Sequence, residues 1–93
     1  MQTLRGKGKI YDSKSNFLSE VVYDIYIINS TLESGPKWRG EITPDNGIMP
    51  TGDHILELDD GRRGRCVIST STYSSFGLVV DSFGVEGTGP LAK

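Results

Sequence analysis

Residues 17–29 read Phe-Leu-Ser-Glu-Val-Val-Tyr-Asp-Ile-Tyr-Ile-Ile-Asn, and whether they coil or extend decides the fold. Leu18, Val21, Val22, Ile25 and Ile28 match helical spacing. Against a helix, five of the eight residues in Val21–Ile28 are β-branched and two more are tyrosines. Branched side chains lose rotamer freedom on a helix and pack well on a pleated sheet. The segment therefore reads as a strand. It is apolar on both faces near its end, as a central strand or one bending round a barrel corner would be.

The flanking residues support an extended chain. In residues 4–11, Leu4, Gly6, Gly8 and Ile10 alternate with Arg5, Lys7, Lys9 and Tyr11, and alternate side chains of a strand face opposite sides. This is a half-buried first strand. Its inward glycines mark a place where another backbone or a bulky ring comes close. Residues 12–16 form a turn, and Ser30–Lys37, which contains Gly35-Pro36, a loop. Trp38–Thr43 reads as strand three, with Trp38, Gly40 and Ile42 on one face. Pro44–Asp53 is the longest turn-rich connection.

His54–Leu58 and Arg62–Thr70 read as strands four and five, and their register can be derived. A two-residue turn at Asp60-Gly61 would set arginines in the apolar row. A three-residue Asp59-Asp60-Gly61 loop, with Gly61 left-handed in a bulged type I turn, sorts polar from apolar better. Leu56 then opposes Gly64, His54 opposes Cys66, and Glu57 opposes Arg63. A slip by one residue would invert both faces. Ser69–Ser75 reads as a Ser/Thr loop and Phe76–Glu86 as strand six. The tail is extended and pinned by Leu91. The fold class is all-β: one domain over residues 1–93, a small antiparallel meander of about six strands closing into a barrel. Closure removes exposed strand edges. A two-sheet β-sandwich is the alternative.

Bulk composition narrows the function. The 93 residues carry ten Lys or Arg against twelve Asp or Glu, a net charge of −2. That gives no global attraction to nucleic acid or anionic lipid. No apolar run approaches the length of a transmembrane helix, and Met1–Lys7 is not followed by a signal-type apolar stretch. The lone Cys66 fits a reducing compartment, so the expected location is cytoplasmic. Hydrophobic residues at 35% and charged residues at 24% fit a soluble globular domain rather than a disordered chain, and the 12 glycines, which show no period of three, exclude collagen.

Four groups of residues are candidates for function. Cys66 and His54 are the available nucleophile–base pair, but no third residue is placed to orient the imidazole, and a lone Cys is usually a packed one. No catalytic residue, metal ligand or cofactor is assigned. Gly61-Arg62-Arg63-Gly64-Arg65 could cradle an anion, since guanidinium pairs its donors with phosphate or carboxylate. Asp59, Asp60 and Glu57 beside it favour a hairpin of solvated ion pairs instead. Arg5, Lys7 and Lys9 form a basic stripe, read as a guard on an edge strand. Tyr11 is the only aromatic in phase with it, too few for an RNA-stacking surface. Asn46 and Tyr73, with Asp45 and the Ser/Thr loop, lie on connections that leave the same end of a meander, where ligands often bind.

The favoured function is a non-catalytic protein-interaction or assembly module, with Trp38, Tyr23, Tyr26 and Phe83 as candidate apolar contacts where the core cannot hold them all. The second reading is a small-molecule or anion-binding barrel that uses Arg62, Arg63 and Arg65, or the loop end with Asn46 and Tyr73.

Overall fold

The fold is taken from a computed structural model, which describes residues 2–28, 37–45, 50–70 and 82–92. Strands β1 (Gln2–Asp12), β2 (Phe17–Ile28), β3 (Lys37–Pro44), β4 (Gly52–Glu57), β5 (Arg63–Thr70) and β6 (Phe83–Gly87) form one closed antiparallel barrel. The Phe17–Ile28 segment is extended along its whole length, as its β-branched composition requires.

Around the barrel the order is β1-β2-β3-β6-β5-β4. Each half, β1-β2-β3 and β4-β5-β6, is a meander. The halves close through β1–β4 and β3–β6 rather than through sequential neighbours. Residues 45–51 therefore lead from β3 to a strand that is not its neighbour. Because every pairing is antiparallel, β1, β3 and β5 finish at one end of the barrel, the upper end. The β4–β5 hairpin and the tail after β6 lie at the lower end. Sequence assigned Ser69 and Thr70 both to strand five and to the Ser/Thr loop; they complete β5, paired with Gly84 and Phe83. Residues 76–81 of the expected sixth strand lie outside the described residues.

Alternation divides each strand as expected. Ile10, Val21, Ile25, Ile42, Leu56 and Ile68 point inward and are fully buried, joined by Tyr23, Trp38 and Val85. Of the four candidate contact aromatics the core holds Trp38 and Tyr23, and Phe83 is partly buried against it. The reason is space. Inward glycines on neighbouring strands make room for large rings: Gly87 lies directly against the Trp38 indole, and Gly6 and Gly8 against the Tyr23 ring. Trp38 Nε1–H then donates to the Gly89 carbonyl at 2.7 Å, so its one polar atom is satisfied on burial.

The β4–β5 hairpin has the derived register: His54 opposes Cys66, Leu56 opposes Gly64 and Glu57 opposes Arg63. Gly61 has φ +90°. Leu58 N–H donates to the Arg62 carbonyl at 2.8 Å, and Gly61 N–H to the Leu58 carbonyl at 3.1 Å. The β1–β2 turn is tied by Asp12, whose Oδ1 accepts from the backbone N–H of Lys14 and of Asn16, each at 2.9 Å.

A Cβ added to Gly8 would run into the Glu57 backbone carbonyl, and one on Gly87 into the Trp38 ring. Gly8→Ala and Gly87→Ala should each destabilise the protein by about 1–3 kcal/mol or more, as overpacking does. Gly61→Ala meets no neighbouring atom and should lose only the left-handed backbone cost, about 1–2 kcal/mol. Urea unfolding measures all three. A loss at Gly8 below about 0.5 kcal/mol, the range of neutral surface changes, would contradict the close β1–β4 approach.

Candidate functional site

His54 and Cys66 are cross-strand neighbours, but their side chains do not act on each other. The Cys66 thiol faces the His54 backbone carbonyl at 3.7 Å, and His54 Nδ1 lies 2.9 Å from the Gly52 carbonyl oxygen. Both residues are buried. Burial pushes the Cys66 thiol pKa up to about 12, which leaves almost no thiolate at neutral pH. The pair packs the barrel.

The arginines do not form one cluster. Arg62 Nε donates to Asp60 Oδ2 at 2.7 Å. Arg63 Nε donates to Glu57 Oε2 at 2.8 Å, while the Tyr11 hydroxyl donates to Glu57 Oε1 at 2.9 Å. The Arg63 guanidinium also lies 5.0 Å from the Tyr11 ring centroid, and Phe17 meets that ring edge-on at 5.9 Å. Hydrogen bonds from Arg63 and then Tyr11 hold the Glu57 carboxyl below its usual range. Arg63 and Arg65 share the outer face and line a shallow cleft with Ile55, Gly64, Gly89 and Pro90. Arg62 lines a different cleft. Asn46 and Tyr73, the two candidates at the loop end, lie outside the described residues. Asp45, at that end, extends the β3–β2 pairing by donating its N–H to the Glu20 carbonyl at 3.0 Å.

The lower end has a feature that sequence reading missed. Strand β1 pairs with β2 from Gln2 to Tyr11, but with β4 only from Lys9 to Asp12. On the β4 side, Gln2–Gly8 therefore has no strand partner among the described residues. The expectation that the whole basic stripe guards an edge is corrected by this pairing. Lys9 sits where β1 is paired on both sides, while Arg5 and Lys7 lie on the one-sided stretch. Next to that stretch, a cleft of ≈ 210 Å³ is lined by Gln2, Ile27, Trp38, Arg62, Pro90 and Leu91. Leu91 packs against the core, and Ala92 bridges to Arg63 on β5. No local signal could have shown this site, because Gln2, Trp38, Arg62 and Leu91 meet only through barrel closure.

The outer face of the neighbouring β2 carries Val22, Tyr26 and Ile28, which are 47%, 38% and 37% exposed. Tyr26 alone among the four candidate contact aromatics stands clearly in solvent. Among the described residues no group of three or more His, Cys, Asp or Glu is placed to hold a metal ion, and no helix is long and apolar enough to cross a membrane. The chain matches no known family model, no curated protein and no solved structure.

Two measurements check this geometry. Alkylation of Cys66 in the native protein at neutral pH should be slow and should follow unfolding rather than reagent strength; fast labelling without unfolding would contradict a packed thiol. The second concerns acid stability. Because the folded Glu57 carboxyl is held below its ordinary 4.5, its contribution is complete above that pH and is lost as pH falls through the lowered folded value. Asp12, lowered mainly by its bond from the Asn16 backbone, adds to the same limb. Glu57→Gln should flatten, without abolishing, the fall in stability below about pH 4.5. An unchanged pH profile would mean that the Arg63–Glu57–Tyr11 contacts contribute nothing.

Proposed function

We propose that this protein is a non-catalytic interaction module whose contact region is the one-sided stretch of β1 together with the outer face of β2. The observation that carries this reading is the incomplete pairing of β1. Along Gln2–Gly8 the backbone is held in strand geometry by β2, while its other edge offers hydrogen-bonding groups to a partner. The exposed Val22, Tyr26 and Ile28 on the adjoining strand add apolar area beside it. The buried, poorly ionised thiol argues against nucleophilic chemistry at Cys66. A reducing, cytoplasmic setting fits a single free cysteine.

Anion binding is the second reading, supported by Arg65, which lies beside Arg63 on the outer face and makes no ion pair among the described residues. An anion there would have to compete with Glu57 for Arg63, and at the neighbouring turn with Asp60 for Arg62.

A photo-crosslinking residue placed at Thr3 or Tyr26, with Asp53 at the upper end as control, tests the module in cells that express it. Discrete protein adducts are expected at Thr3 and Tyr26 and not at Asp53. Absent adducts, or equal ones at all three positions, would overturn the assignment of this face.

A further inference from the structure

We propose that the partner is an extended acidic segment that adds to the barrel as a strand beside Gln2–Gly8, with acidic residues facing outward and small apolar ones facing inward. This rests on the interaction-module reading and specifies its ligand.

The backbone comes first. In an antiparallel ladder, alternate residues direct both N–H and C=O to the same neighbour. With β2 satisfying one side of Gln2–Gly8, the remaining groups point to the side that β4 leaves unpaired beyond Lys9. A crevice separates β1 from the hairpin there, lined by Lys7, Gly8 and Lys9 on one side and Glu57–Asp59 and Gly61 on the other, with Glu20 beside them. Glu20 and Glu57 are the register partners of Lys9, whereas Lys7 has no acidic register partner.

Charge selects the partner's outward residues. Arg5 and Lys7 are exposed on the outer face of this stretch. Arg5 meets Asp24 of β2 at 3.3 Å, with the arginine side chain still 75% exposed. Lys7 opposes Val22, so its cross-strand neighbour carries no charge. A new strand on the other side would place its outward side chains beside these two cations, and opposite charges directly across a ladder are favourable. A second copy pairing through the same edge would set Arg5 and Lys7 near their own counterparts, which is unfavourable.

The inward side selects differently. Asp59 there accepts the Tyr23 hydroxyl hydrogen bond at 2.8 Å and sits beside Gly6, so an inward acid would meet a carboxylate. Further along, Ile27, Trp38, Pro90 and Leu91 give the cleft apolar walls for inward side chains, and its one cation among the described residues, Arg62, is already paired with Asp60. A segment alternating acidic and small apolar residues meets both demands at once.

The probe is a short synthetic peptide alternating Glu with Val or Thr, titrated into the full chain and read by amide hydrogen exchange. The controls are the same peptide with Lys for Glu, and an oligoglutamate of equal charge. The acidic alternating peptide should slow exchange at alternate amides within Gln2–Gly8 by about tenfold or more, and neither control should. In the Arg5→Glu/Lys7→Glu variant, whose folding is checked by circular dichroism, the preference should reverse so that the Lys peptide protects and the Glu peptide does not. Equal protection by oligoglutamate would reduce the effect to charge and overturn strand addition. Protection that rises with protein concentration and needs no peptide would mean the edge receives a second copy, and would overturn the acidic partner. If no peptide protects β1 while Thr3 and Tyr26 still give adducts, the strand-addition proposal fails and the interaction module stands. Loss of both removes the module as well.

Discussion

Tyr23 holds this barrel together. Rooted on β2, it reaches across β1, with its ring over Gly6 and Gly8, and its hydroxyl donates to Asp59 of the β4–β5 hairpin at 2.8 Å. The Asp59 backbone N–H lies 3.4 Å from the same oxygen. One buried side chain thus links β2, β1 and the β4–β5 turn. Burial and the bond to Asp59 both raise the Tyr23 hydroxyl pKa, so the neutral, donating form is the folded one over the ordinary pH range. Any side chain at Gly6 or Gly8 would collide with this ring or with the Glu57 carbonyl, and the glycines of β1 are there for that reason.

The same constraint shapes the lower end. Glu57 comes close to Gly8, and beyond that point the chain turns through Asp59 instead of continuing beside β1. Pairing between β1 and β4 stops at Lys9. The tail after β6 follows β5 through Arg63 and Arg65, so among the described residues it too leaves the start of β1 paired on the β2 side alone. The one-sided stretch is thus a consequence of how the hairpin is anchored, and Arg5 and Lys7 happen to be the charges it displays.

Much of the fold was legible because a strand's side-chain period is two and a slip is costly. Leu4 to Tyr11 and Trp38 to Thr43 sort correctly on alternation alone. The hairpin register followed from asking which pairing keeps arginines out of the apolar row, with Gly61 as the left-handed position. The strand order was not legible, since closure through β1–β4 and β3–β6 gives each strand the same antiparallel neighbourhood as a sequential meander. The length of the connection between Pro44 and Gly52 was the available hint, because hairpin loops are shorter. That a ring or a backbone presses on Gly6 and Gly8 was legible, but not that the ring is Tyr23. Tyr23 and Trp38 fit inside only because Gly6, Gly8 and Gly87 lie opposite them, and those pairings are long-range. At the arginine-rich turn the register made Glu57 the partner of Arg63, and Arg62 pairs with its near neighbour Asp60. The lower-end cleft was beyond reach, as its walls come from both termini and the middle of the chain.

The most direct test is a double-mutant cycle between Tyr23→Phe and Asp59→Ala, each change removing one partner of the bond, followed by urea unfolding. Removing the hydroxyl leaves the ring over its glycines, so each single change isolates the bond that ties β2 to the hairpin. A coupling energy of about 1 kcal/mol or more is expected for a part-buried hydrogen bond to a carboxylate. Strict additivity, within about 0.3 kcal/mol, would contradict the claim that the Tyr23 hydroxyl fastens the hairpin to the barrel.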